Sequence, residues 1–108
     1  MSAIPEIGVD EVRDDVVLLD VREADEWAAG RAPGAIHLAL SELAGATLDV
    51  EAGATVQVIC KAGGRSAQAT AFLRDQGIDA VNVAGGMLAW AASGRDVVTD
   101  DGGPGRVA

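Results

Sequence analysis

Aromatic side chains are scarce in this 108-residue chain: Trp27, Phe72 and Trp90 are the whole set, with no tyrosine. Stacking platforms of the kind that hold single-stranded nucleic acid are therefore nearly absent. Cations are scarce too. Eight Lys and Arg face seventeen Asp and Glu, a formal net charge of −9 that repels phosphate backbones and anionic lipid surfaces. There is one cysteine, Cys60, which excludes an intrachain disulfide and any multi-thiolate metal centre. One histidine, His37, lies 23 positions before it with no second sulfur, so no metal site is expected. No apolar run reaches the roughly 18 residues of a membrane span, and the opening MSAIPEIGVDEV lacks the basic and apolar regions of a secretory signal. The expectation is a cytoplasmic chain with a reduced thiol, no membrane or nucleic-acid partner and no cofactor.

What is present is an alternation of short apolar runs, turns and helical stripes. Strands are expected near residues 4–7, 16–20, 36–38, 55–60 and 80–83. Between them come a short helical turn at 9–13 and a helix with Ala24, Trp27 and Ala28 on one face, closed by Gly30. One or two helical turns are expected at 41–46, and a helix from Ser66 carrying Ala69, Phe72 and Leu73. Gly77 and Ile78 suit its C-cap, and GMLAWAASG reads as a last short helix. This spacing argues an α/β layer fold around a mostly parallel sheet. Residues 4–98 read as one domain. The polar, glycine-rich residues 99–108 read as a disordered C-terminal tail.

The chemistry concentrates in CKAGGRS, Cys60 to Ser66, between a strand and a helix. Ligands of open α/β sheets bind at the carboxyl ends of strands. Gly63 and Gly64 allow the backbone to curl so that the amides of Lys61, Ala62, Gly63, Gly64, Arg65 and Ser66 converge on one centre. The helix start and the cations Lys61 and Arg65 then favour thiolate over thiol, and Arg65 can fork its donors into loop carbonyls or a bound oxyanion. Lys61 is the only lysine of the chain and adjoins its only cysteine. The competing reading is an inert packed cysteine, common at strand ends.

A second group is Asp20 and Arg22 in LLDVRE. If strands 16–20 and 55–60 run parallel, Asp20 shares an edge with Cys60 and can orient Arg22 or cap the helix that follows. His37 reads as structural, and the tryptophans as helix anchors. Gly85 to Leu88, GGML, is only a weak match to a phosphate-binding turn.

Three segments together resemble a single-domain rhodanese: LLDVREADEWAAGRAPGAIHL (18–38), the C-x-x-G-x-R-S loop, and the late G-G-M-x-x-W stretch. The resemblance implies a five-stranded, mostly parallel sheet flanked by helices on both faces and a nucleophilic Cys60 that cycles through a persulfide. It implies transfer of sulfane sulfur from a thiosulfate-like donor to cyanide or a cellular thiol, with Asp20 and Arg22 in support. The alternatives are a persulfide relay module that takes sulfur from a sulfur-carrying partner protein and serves a sulfur-trafficking or cofactor/tRNA-modification pathway, a non-catalytic binding domain of the same fold, and a redox sensor. Four residues separate Cys60 from Arg65, whereas the tyrosine-phosphatase loop uses five; the shorter loop suits attack on sulfur. The chain departs from the family at Arg31, where a histidine is common, at Ala32, and at Ala39 and Leu40, where a proline often follows.

Overall fold

Five strands, all paired in parallel, line up in the order β1-β5-β4-β2-β3. The computed structural model describes residues 4–108. The strands are β1 (Glu6–Ile7), β2 (Val17–Asp20), β3 (Ile36–His37), β4 (Thr55–Ile59) and β5 (Asp79–Val83). The helices are α1 (Ala24–Ala29), α2 (Leu40–Leu43), α3 (Gly64–Asp75) and α4 (Gly86–Ala92), with a 3₁₀ turn at Val9–Glu11. The element order is the one the sequence implies.

Parallel strands need both faces covered, and the period-two alternation supplies two cores. Leu19, Val56, Val58 and Ala80 face α2 and α3, meeting Leu43, Ala69 and Leu73. Leu18, Ile59 and Val83 face the other way, onto Met87 and Trp90 of α4 and onto Val12. Trp90 anchors α4 as expected and donates its indole N–H to the Asp96 carbonyl at 2.8 Å. The end of α3 is fixed by a Schellman arrangement: Gly77 has φ +84°, and the amides of Gly77 and Ile78 donate to the carbonyls of Arg74 and Leu73.

The C-terminal segment departs from expectation. Residues 99–108, read as a disordered tail, fold back onto the domain. Val98 forms antiparallel bridges with Arg31 and Pro104, and Arg106 N–H donates to the Ala29 carbonyl at 3.0 Å. Val97 and Val107 pack on the α4-side core. The approach is close enough that a Cβ on Gly30 would lie 2.5 Å from the Arg106 carbonyl oxygen. Composition predicted disorder because the segment is polar and glycine-rich. Backbone pairing to a neighbouring loop, with two valines as anchors, orders it instead.

Candidate active site

Cys60 follows the last residue of β4 and continues its alternation, so its side chain joins Val56 and Val58 on the α3 side. It is 1% exposed. Gly63, at φ +112°, reverses the chain, and its amide donates to Cys60 Sγ at 3.1 Å. The Ser66 hydroxyl donates to the same sulfur at 3.2 Å. Burial pushes the thiol pKa up, but the hydroxyl and amide of Ser66 and the amides of Gly63 and Ala62 outweigh it. The net pKa falls below the ordinary thiol value. Helix α3 begins at Gly64 rather than at Ser66, because Gly63 in the left-handed region closes the first turn early; Ala67 N–H donates to its carbonyl at 3.1 Å. Arg65 and Ser66 therefore lie in the first turn, where main-chain N–H groups lack helical partners.

The back of the loop rests on the start of α4. The amides of Met87 and Leu88 donate to the carbonyls of Cys60 and Lys61 at 2.8 and 3.0 Å. Gly86, at φ +54°, makes this approach possible: a Cβ there would sit 2.6 Å from the Lys61 carbonyl oxygen and closer still to that of Cys60. The Gly85–Gly86 pair is thus a seat for the cysteine loop, not a phosphate turn. Buried Asn82 adds a second tie, donating from Nδ2 to the Gly63 carbonyl at 3.3 Å and to Glu6 at 2.8 Å. Sequence reasoning passed over Asn82 and took Gly86 only as part of a weak phosphate-turn match. The doubled glycine at a helix start and the lone amide inside AVNV were the available signals.

The cations are arranged differently from expectation. Arg65 turns to a carboxylate and not to a loop carbonyl: Nη1 and Nη2 donate to Glu26 Oε1 and Oε2 at 2.6 and 2.9 Å. These bonds hold the Glu26 carboxyl down at about 2 and raise Arg65. Glu26 was unassigned in the sequence, although it belongs to the E-W-x-x-G stretch.

Asp20 does share the carboxyl edge with the cysteine loop, since it pairs in register with Ile59. That register puts its side chain on the Ile59 face, opposite Cys60. Arg22 is 0% exposed, gripped through Nε and Nη2 by Asp20 at 2.8–3.0 Å. Its Nη2 also donates to the Gly30 carbonyl at 2.7 Å, tying down the C-terminal end of α1. Arg22 cannot meet a donor arriving from solvent. Nor does Asp20 cap α1, whose N-cap is Glu23. The pair is an internal strut for the helix that carries Glu26. Lys61 alone of the three expected cations forms no ion pair among the described residues.

His37 is structural in its contacts. Nε2 lies 2.7 Å from the Arg22 carbonyl oxygen, and the ring stacks on Trp27 at 4.8 Å. Arg31 completes the layer, its guanidinium 4.4 Å from the Trp27 ring centre and paired with Asp100. The departure at Arg31 is thereby accommodated by packing, and Ala32 is buried beside it.

A family model described as a rhodanese-like domain matches residues 9–93. The chain is 36% identical over 90 residues to a sulfurtransferase of Allochromatium vinosum, covering 82% of this chain and 84% of the relative. It is 32% identical over 96 residues to a candidate sulfur carrier protein of Bacillus subtilis, covering 82% of this chain and 52% of that one. The crystal structure of a rhodanese-related protein from Thermoplasma volcanium superposes with a TM-score of 0.82 at 32% identity, covering 89% and 99% of the two chains. With the motif order, the parallel sheet and the cysteine loop all in agreement, this chain belongs to the rhodanese-like domain family.

Proposed function

We propose that the protein is a sulfurtransferase that relays sulfane sulfur as a persulfide on Cys60, from a low-charge or protein-borne donor to an acceptor thiol. The observation that carries this reading is the hydrogen-bonded sulfur: an amide and a hydroxyl already aim at Sγ, and the loop favours its anion. A thiolate needs no separate general base. It attacks the outer sulfur of the donor, and the electron pair of the broken bond leaves with sulfite, or with a thiolate when the donor is a persulfide. The new terminal sulfur is an anion, for which the loop amides are suited donors. An acceptor thiolate then attacks that terminal sulfur, and the electron pair returns to Cys60. This is two-step covalent transfer.

Thiosulfate remains a chemically competent donor, and cyanide a competent acceptor. The relay is favoured over that pair because the arginines expected to attract a dianion face carboxylates instead. The names of the relatives, a sulfurtransferase and a candidate sulfur carrier, point the same way. A cytoplasmic, reducing setting belongs to the proposal, since the lone thiol must be free at rest.

The test is direct loading. Reduced protein incubated with thiosulfate or cysteine persulfide gains the mass of one sulfur, and an added thiol removes it. Cys60→Ser abolishes the gain. A wild type that never acquires sulfur from either donor overturns the reading.

A further inference from the structure

The first turn of α3 carries one arginine, and it is matched before any donor arrives. Two short, parallel bonds from the Arg65 guanidinium to Glu26 form a fork-on-fork contact. The carboxylate is not free to swing away: Oε1 also accepts the Glu23 amide at 3.1 Å, as the third residue of the α1 capping box. Helix α1 is itself tied through Gly30 to the buried Arg22. The two side chains are 33% and 16% exposed, so the pair sits at the edge of the site rather than out in solvent. Its formal charge is zero. That leaves Lys61 as the unmatched cation of the loop, in a chain of net charge −9.

Building on the persulfide reading of Cys60, we propose that Glu26 is a specificity-determining residue: by neutralising Arg65 it sets the donor preference against dianions. A dianion gains twice what a monoanion gains from the same added positive charge. Removing the Glu26 charge therefore changes the ranking of donors and not only their rates.

Two sulfane donors with the same transferred atom separate charge from chemistry. Thiosulfate is a dianion and releases sulfite; methanethiosulfonate is a monoanion and releases methanesulfinate. In each case the Cys60 thiolate bonds to the outer sulfur, the sulfur–sulfur bond of the donor breaks, and its electron pair leaves with the sulfur oxyanion. Glu26→Gln keeps the side-chain length and a residue type that serves a capping box. It should raise the ratio of kcat/KM for thiosulfate over methanethiosulfonate by roughly twofold at low salt, the effect of one unit of charge acting on one further negative charge through a water-like medium. The gain should shrink as salt is added. Glu26→Asp, which keeps the charge, should hold the native ratio. So should the double variant Glu26→Gln/Arg65→Gln, neutral like the native pair. A merely structural role would lower both donors together and leave the ratio alone in every variant. An unchanged ratio in Glu26→Gln, or an equal shift in Glu26→Asp, overturns the role of Glu26 while sulfur loading of the wild type stands. Failure of the wild type to load from these two donors and from cysteine persulfide alike removes both readings.

Discussion

Gly86→Ala tests how the cysteine loop is held. Two separable costs meet at this position. The first is conformational: φ is +54°, and an L-residue in the left-handed region costs roughly 1–2 kcal/mol. The second is steric. The added Cβ would meet the carbonyl oxygens of both Cys60 and Lys61, and neither is the flexible end of a side chain. Either the loop or the α4 start must retreat, straining the bonds from Met87 and Leu88 to those carbonyls. At about 1 kcal/mol for each of the two bonds weakened, the total comes to roughly 3–4 kcal/mol. Gly34→Ala is the control: φ is +79°, but no atom lies within 4 Å of the added Cβ, so only the conformational cost applies. Urea unfolding of the two variants gives the difference in stability. Alkylation rate against pH reads the loop itself, because a displaced loop misaligns the donors at Sγ and raises the thiol pKa. Equal destabilisation in both variants, with an unmoved alkylation midpoint in Gly86→Ala, would refute the seat argument.

Three further outcomes follow from the same geometry. Ser66→Ala deletes the hydroxyl donated to Sγ, a bond that favours the thiolate, and should raise the alkylation midpoint; an unmoved midpoint would clear Ser66 of that role. Asp20→Asn leaves the Arg22 guanidinium buried without a counter-charge and should cost roughly 3–5 kcal/mol in urea unfolding; near-native stability would show that the pair is not a strut. Glu26, ordinarily near 4.5 and held at about 2 by Arg65, has a lowered folded-state pKa, so its contribution is complete above the unfolded value and is lost as pH falls from about 4.5 towards 2. Solvent screening at the edge of the site keeps that contribution to about 1 kcal/mol, and stability curves of wild type and Glu26→Gln should converge in acid; parallel curves through that window would deny the coupling.

Local pattern in the sequence determined the order of elements and the place of the cysteine. β-branched runs bounded by glycine and proline define strands without knowledge of their neighbours, and CKAGGRS marks a strand-to-helix turn by its own composition. Even the helix start was displaced by only two residues, because the left-handed capacity of Gly63 is a local property. What the tertiary structure decided is which groups face one another at the carboxyl edge, where loops from separate strands meet. Glu26 and Arg65 are 39 positions apart, and neither residue type names the other as partner. The same holds for Gly86 beneath the Cys60 carbonyl and for Asn82 beneath Gly63. Arg22 read as a cation at the site edge because its position just beyond the end of β2 was legible. Its burial depends on the side of the sheet that Asp20 faces and on the return of α1 through Gly30. The C-terminal segment shows the same limit. Composition measures how much apolar surface a segment can bury alone, whereas residues 97–107 are ordered by backbone partners at 29 and 31 that only the folded chain brings within reach.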